Sequence, residues 1–469
     1  MSKSGTIGKK IKQFIGAALS LTVMAGAFYN VSEYFERPES ELKYREFFHS
    51  DTEFDVLLFG NSHMLNGVFP MQLWNDYGIT SYNMGGHGAT LKMSYWMLRN
   101  AIEYHKPEIV VLDVYGAIWE DHEMDISHAH NSFDAFPLTP TKYQAMKEMF
   151  TGSDVMEMVF PFSVYHNRWE ELFPQADSEE TETDETESAD AQKTETKETS
   201  GNEENNIAAS EEAEVTLNLE KGAESRIHVA APAEFEQIPQ DQVSNEITDA
   251  MIELIRVVDY CQSKEIPIVL LNIPSPQAED GQERYNKIQE IADGEEVPYL
   301  NLPYEDVVNF TTDLYDADSH LNPSGARKVT DYLGAYLTEN YDLTDKRTDP
   351  AYESWNEDYD RYTQQILIPN LVKSESLNES LMLIYNEFFT ADIETTEKYP
   401  LGNVSKTFLE ALQDTVVMTD NLTEDRDTFR ITVYDADHKE ILMTKEFYHD
   451  EDGNHLAETE VPEKQEMND

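Results

Sequence analysis

Asp55-Val-Leu-Leu-Phe-Gly-Asn-Ser-His-Met64 is the stretch of sequence from which the fold follows most directly. Its apolar run, Val56–Phe59, predicts a buried strand of a parallel sheet, and the run ends at Gly60. Ser62 then comes where the carboxyl end of that strand should lie, which is the edge at which open α/β sheets bind their ligands. Taken alone, the stretch favours Ser62 as the cap of a following helix. A second segment, around His320, changes that interpretation.

Apolar runs of strand length alternate with helical patterns through most of the chain. Further strands are predicted at residues 80–84, 109–114, 267–273 and 297–302. Helical spacing of apolar residues is found at 70–77, 90–104, 240–264, 285–292 and 323–337. Alternating strands and helices predict a three-layer α/β/α domain built on a parallel sheet.

Three short motifs follow one another in a recognisable order. They are Gly60-Asn-Ser62, then Asn83-Met-Gly-Gly-His-Gly88-Ala-Thr90, then Asp318-Ser-His320-Leu-Asn-Pro. In order and spacing the chain resembles the SGNH/GDSL hydrolase superfamily over roughly residues 53–337, and it is most similar to the membrane-anchored surface branch found in Gram-positive bacteria. The resemblance implies an SGNH-hydrolase-like domain over residues 51–342. Because Ser62 does not stand in a G-x-S-x-G elbow, an ordinary α/β-hydrolase is disfavoured.

The resemblance implies a serine nucleophile, a histidine base and a carboxylate. Ser62 would attack an ester carbonyl, and His320 would take its proton and pass it to the leaving alcohol. The family's usual D-x-x-H spacing would put the acid at Ala317. We therefore expect Asp318 to orient the imidazole, with Asp316 as the second candidate.

An oxyanion site is the third requirement of this chemistry. We expect the backbone N–H groups of Ser62 and Gly88 to form it, since glycine lets the main chain approach a substrate closely. The family adds an asparagine side chain, but the position that matches it by spacing is Ala117. Asn61, Tyr115 or His87 would have to supply the missing donor.

Further substrate-binding residues are expected in the aromatic segment at 162–169. His166, Arg168 and Trp169, with His87 and Tyr115, could line a sugar-binding cleft, because aromatic rings stack on sugars and arginine binds anions. The alternative is that these side chains pack a subdomain. No metal site is expected, because the sequence has no H-E-x-x-H motif and contains a single cysteine. No cofactor is implied.

The amino-terminal segment predicts export. Residues 1–13 carry a lysine cluster, and the apolar run at 14–31 predicts a transmembrane anchor with the body outside the cytoplasm. Ala25-Gly-Ala27 also fits a signal-peptidase site, so a cleaved signal peptide and a secreted body are the alternative. Residues 32–50 are expected to form a polar stalk.

The remaining sequence is strongly acidic. The chain has 92 acidic and 34 basic residues and a formal net charge of -58, which excludes nucleic-acid binding through a basic surface. Residues 175–213 lack aromatic residues and predict a disordered insert. Beyond the domain we expect a link at 343–374 with a helical patch, an accessory β-rich domain at 375–450 with a strand at 381–389, and an acidic tail at 451–469.

Family membership would imply an O-acyl esterase or acyltransferase that acts on an acylated surface glycan or cell-wall polymer. Similar proteins include the D-alanine transfer protein of teichoic acid modification and alginate O-acetylation proteins, which implies a membrane-bound acyltransferase as a partner. The absent asparagine and the shifted aspartate favour an alternative, a catalytically inactive glycan-binding or assembly module.

Overall fold

The structure is a computed structural model of the whole chain. It describes residues 3–34, 38–119, 126–159, 164, 218–316, 320–413, 415–420, 422–423, 426–451 and 453–462. The chain divides into two compact units, one formed by Met1–Glu36 with Phe160–Leu217 and the other by Arg37–Val159 with Asn218–Asp469. The predicted insert at 175–213 lies outside the described residues.

The first unit contains helix α1, Lys3–Tyr34, which includes the predicted anchor. Within the described residues, no helix combines the length and apolarity needed to cross a membrane. The transmembrane helix predicted at 14–31 is therefore not supported.

The second unit begins with a helix where a stalk was expected. Helix α2, Pro38–His49, buries Tyr44, Phe47 and Phe48 against the rest of the unit. The stalk prediction is therefore wrong over these residues. Three aromatic side chains at helical spacing form an apolar face, and burial of that face stabilises the packing of the helix against the unit.

The centre of the second unit is a parallel sheet of five strands in the order β2-β1-β3-β4-β5. The strands are β1 (Val56–Phe59), β2 (Ser81–Asn83), β3 (Ile109–Asp113), β4 (Ile268–Asn272) and β5 (Tyr299–Asn301). Leu58 pairs with Asn83 on one side and with Val111 on the other. Strand order reverses between β1 and β3, so their carboxyl ends flank the crevice in which such sheets bind ligands.

Helices cover both faces of this sheet. They are α3 (Ser62–Gly67), α4 (Pro70–Tyr77), α5 (Leu91–Ala101), α6 (Ile126–Phe133), α7 (Pro140–Met149), α8 (Ser153–Val159), α9 (Asp249–Ser263), α10 (Glu279–Gly294) and α11 (Pro323–Asn340). Val56, Leu58 and Val111 face a core shared with α3, α4 and α11. The alternate strand residues face the other side, where α5 and α9 pack together and α9 contacts β4. An α/β domain with a parallel sheet is thus confirmed.

A second sheet of five strands follows, in the order β10-β9-β8-β6-β7. Its strands are β6 (Phe389–Thr395), β7 (Val416–Thr419), β8 (Thr428–Asp435), β9 (Ile441–Asp450) and β10 (Gly453–Glu460). β6 and β7 are parallel and the other neighbours are antiparallel. β10 occupies much of the predicted acidic tail at 451–469, so that boundary was wrong: it pairs with β9 and completes the sheet.

Helices fill the remainder of this region. They are α12 (Glu353–Tyr362), a π-helical turn (Thr363–Leu367), α13 (Ile368–Lys373), α14 (Leu377–Ile384) and α15 (Asn403–Ala411). Trp355 and Leu371 are buried, so the predicted link at 343–374 is in fact packed structure. The strand predicted at 381–389 is also wrong over its first residues, because Ser376 and Glu379 form a capping box that starts α14.

Candidate active site

Ser62 lies at the carboxyl end of β1, where the chain turns into α3. The Asn61 side chain caps this helix by accepting a hydrogen bond from the His63 N–H at 2.9 Å. Gly60 allows the tight turn, since a Cβ at that position would lie 2.7 Å from the Cβ of Asp113. Strand, glycine and cap therefore present the Ser62 hydroxyl at the crevice between β1 and β3.

His320 meets Ser62 across 258 positions of sequence. Its Nε2 lies 2.8 Å from Ser62 Oγ. A short bridge between Leu314 and Leu321 closes the loop that carries it, and Asn322 caps α11 directly afterwards. The hydroxyl and the imidazole thus stand in the geometry that proton removal from a serine requires.

Asp316 holds the other side of the His320 ring. Its Oδ2 lies 2.8 Å from Nδ1, and its Oδ1 accepts a hydrogen bond from the His320 backbone N–H at 3.1 Å. One carboxylate therefore orients both the ring and the main chain of the histidine. Asp318, the first choice from the sequence, lies outside the described residues.

Backbone donors border the same site. Gly88 lines the crevice with Ser62 and has a φ of 60°, and a Cβ there would fall 2.2 Å from His128 Nδ1. Only glycine fits this turn without strain. The N–H of Ser62, in the first turn of α3, has no acceptor within its own helix. Both N–H groups remain candidates for an oxyanion site.

The expected side-chain donors differ in their engagement. The Asn61 side-chain oxygen accepts the bond of the helix cap, which leaves its amide N–H₂ as a candidate donor at the cleft that Asn61 lines. His87 Nε2 lies 2.8 Å from Glu224 Oε2, and His87 does not line the cleft around Ser62. The structure thus places His87 against Glu224, which also pairs with Arg226 at 2.8 Å, and does not bring it into the described lining of the cleft. Ala117 is fully buried and lines no part of the cleft.

A cleft of about 770 Å³ opens in front of Ser62 and His320. Tyr115, one of the predicted substrate-binding residues, lines it, and so does Trp119, with 45% of its surface exposed. His166, Arg168 and Trp169, which the sequence also suggested, lie outside the described residues. The described lining also includes four charged side chains: Lys92, Asp154, Asp249 and Glu253.

His63 was not among the predicted site residues. Its ring stacks on Tyr115 with 3.6 Å between centroids, and it lies 5.0 Å from the ring of His320. Burial, and then the neighbouring charge of His320, hold the pKa of His63 well below its usual value. The only signal in the sequence was its place directly after Ser62.

Asp113 ends β3 beneath the site. It is 1% exposed, and burial raises the pKa of its carboxyl to about 7. Its Oδ1 accepts a hydrogen bond from the Tyr115 N–H at 3.3 Å, which ties the carboxyl to the turn that carries Tyr115 into the cleft. In the sequence, Asp113 stands within the apolar run that predicts the strand at 109–114.

Comparisons with known proteins add little information about the family of this chain. No protein-family model and no curated protein matches the chain. Among solved structures, one similar chain is a candidate acylhydrolase from Bacteroides fragilis, which is 10% identical. The match covers 65% of this chain and 99% of that one, with a TM-score of 0.31. A likeness this low decides neither the family nor the activity.

Proposed function

We propose that this protein is a serine O-acyl esterase or acyltransferase of the SGNH-hydrolase type. The observation that carries the proposal is the hydrogen-bonded series from Ser62 Oγ through His320 to Asp316, with both contacts of the ring at 2.8 Å. A free hydroxyl is a weak nucleophile at neutral pH, and such a series is the common way to activate one.

In the proposed reaction, Ser62 Oγ forms a bond to the carbonyl carbon of an ester while its proton moves to His320 Nε2. The tetrahedral oxyanion is stabilised by the N–H groups of Ser62 and Gly88. His320 then gives the proton to the leaving alcohol as the carbon–oxygen bond breaks. Water or a second alcohol attacks the acyl-enzyme by the same steps in reverse, with Asp316 stabilising the imidazolium throughout.

For the substrate we propose an acylated carbohydrate or cell-wall polymer outside the cytoplasm. The motif resemblance suggests this class, and the aromatic rings of Tyr115 and Trp119 in the cleft are suited to stacking on sugar faces. The lysines before the apolar amino-terminal run favour an exported body. Cell fractionation tests the location, since recovery of the protein in the cytosol would contradict it.

Hydrolysis of p-nitrophenyl acetate by the purified full-length chain tests the activity. We expect turnover that falls by about three orders of magnitude or more in Ser62→Ala, because the nucleophile is lost. Ser263→Ala, which changes an exposed serine at the end of α9, serves as the matched control and should retain full activity. Equal rates for Ser62→Ala and the unchanged chain would remove the enzyme proposal.

A non-catalytic glycan-binding or assembly module is the second candidate. It is favoured by the buried alanine at position 117, which leaves the site without the amide donor that the family uses. In that case the cleft would bind a glycan with equal affinity in Ser62→Ala and in the unchanged chain, and no ester would be hydrolysed by either.

A further inference from the structure

His63 is a buried polar side chain at the edge of the cleft, and one of its ring nitrogens has no hydrogen-bond partner among the described residues. It is 2% exposed, and its Nδ1 makes no hydrogen bond to any residue that the structure describes. A buried polar atom left unpaired costs about 1–3 kcal/mol, so native proteins retain such atoms for a reason. Binding of a substrate is one such reason, and the ring of His63 does border the cleft.

The packing of His63 holds the ring in one place. One face stacks on Tyr115, with an angle of 18° between the planes, and the backbone N–H of His63 is fixed by Asn61. Its neighbour on the cleft side is His320, 5.0 Å away between ring centroids. The imidazole is therefore a rigid group beside the catalytic base.

The position beside His320 indicates which part of an ester His63 would meet. The leaving oxygen of the ester must come within hydrogen-bond reach of His320 Nε2 to receive its proton. His63 lines the same cleft with its ring 5.0 Å from that of His320, so a substrate oxygen held at His320 also comes close to His63. The low pKa of His63 keeps a second positive charge away from the imidazolium of His320.

We propose that His63 binds the alcohol side of the ester by donating an imidazole N–H hydrogen bond to the oxygen that leaves. This inference rests on the proposed esterase or transferase function and adds a residue to it. The bond forms as the carbon–oxygen bond breaks and negative charge gathers on the leaving oxygen. His320 supplies the proton to that oxygen, and His63 keeps its own, so the step remains balanced.

Two esters with the same acyl group test the inference. Phenyl acetate releases a more basic oxygen than p-nitrophenyl acetate and so depends more on a hydrogen bond to that oxygen. The readout is the ratio of kcat/KM for the two esters in the full-length chain. We expect His63→Leu to lower kcat/KM for phenyl acetate about tenfold more than for p-nitrophenyl acetate, the usual effect of one hydrogen bond.

His63→Gln is the matched variant, since glutamine is close to leucine in size and retains an N–H donor. It should keep most of the ratio of the unchanged chain. His228→Leu, at an exposed histidine outside the cleft, should not alter the ratio. Thermal unfolding of each variant shows whether it is folded, and His63→Phe, which retains a ring to stack on Tyr115, replaces His63→Leu if that variant is unfolded.

An equal loss for both esters, or no loss for either, would overturn the role of His63 and assign it to packing. That outcome leaves the proposed function intact as long as the unchanged chain hydrolyses both esters. Absence of hydrolysis by the unchanged chain would instead overturn the proposed function, and this inference with it.

Discussion

At the scale of single residues, the carboxylate of Asp316 decides how His320 is held. Because one oxygen binds Nδ1 and the other binds the backbone N–H, the acid fixes the ring orientation and the loop together. Asp316→Asn is expected to lower kcat for ester hydrolysis by up to about 10⁴, since an amide can hold the wrong tautomer of the imidazole. Steady-state kinetics on p-nitrophenyl acetate measures it.

Asp318→Asn is the matched control, since it changes the same residue type two positions along the sequence. Its kcat should stay close to that of the unchanged chain, because His320 Nδ1 already has a carboxylate partner. The reverse pattern, a large loss in Asp318→Asn and a small one in Asp316→Asn, would contradict the arrangement.

Asp113 should give the fold a measurable pH dependence. Burial raises its pKa to about 7, so the folded chain keeps a proton that the unfolded chain releases. Its stabilising contribution is complete below the pKa of the unfolded state, near 4, and is lost as the pH rises towards 7. The Asp113→Asn side chain cannot ionise in this range. As the pH rises from about 4 to 7, the unfolding free energy of this variant should increase relative to that of the unchanged chain by roughly 4 kcal/mol.

Denaturant unfolding at a series of pH values checks this prediction. Glu220, whose pKa burial also raises to about 7, acts with the same sign in both proteins and so cancels from their difference. Two unfolding curves that stay parallel from pH 4 to pH 7 would show that Asp113 does not titrate in this range.

At the scale of elements, residues 218–226 tie the edge of the parallel sheet to the site. The Asn83 N–H donates to Lys221 O at 2.9 Å, and the Glu224 N–H donates to Leu65 O at 3.0 Å. Lys221 is itself buried between the carboxylates of Glu46 and Asp358. This segment thereby links α2, α3, β2 and α12.

Lys221→Met should therefore destabilise the fold far more than an ordinary surface change. We expect a loss of about 3 kcal/mol in unfolding free energy, because Glu46 would remain as a largely buried carboxylate without its cation. Asp358 keeps Arg361 at 2.6 Å, which limits the loss. Lys106→Met, at an exposed lysine, is the control, and equal midpoints of unfolding for the two variants would refute the role of Lys221.

The elements also show what the sequence could predict. The buried strands were found because a parallel sheet requires continuous apolar runs, as in Val56–Phe59 and Ile268–Asn272. Helix α2 was missed because its charged residues hide three aromatic positions at helical spacing. Helix α14 was missed because its apolar residues alternate like a strand, although the capping box of Ser376 and Glu379 was readable.

The site was predictable to the same degree. Ser62 and His320 are marked by motifs, and the structure brings them together. The choice between two nearby aspartates depends on the path of a loop, which spacing alone does not determine. His63 could not be assigned a role, because its partners Tyr115 and His320 come from distant parts of the sequence.

At the scale of the whole molecule, the net charge of -58 acts on any charged substrate. The described lining of the cleft has the same sign, since it contains three carboxylates and one lysine, Lys92, which lies 3.5 Å from Glu253. We expect an aryl acetate with a trimethylammonium group to exceed its carboxylate analogue in kcat/KM by at least about tenfold at low salt.

The difference should shrink as salt is added, because the screening length falls from about 30 Å at 0.01 M to about 3 Å at 1 M. The neutral ester p-nitrophenyl acetate serves as the control and should respond little to salt. A preference that persists unchanged in high salt, or a preference for the anionic ester, would contradict electrostatic selection by the acidic body and cleft.

The central claim is that Ser62 is an activated nucleophile, and covalent labelling with a fluorophosphonate tests it most directly. We predict that the full-length chain is labelled at Ser62, that Ser62→Ala is not labelled, and that His320→Ala is labelled far more slowly, because the hydroxyl has then lost its base. Peptide mapping identifies the modified residue. A chain that resists the probe, or one that is labelled equally well in Ser62→Ala, would contradict the claim.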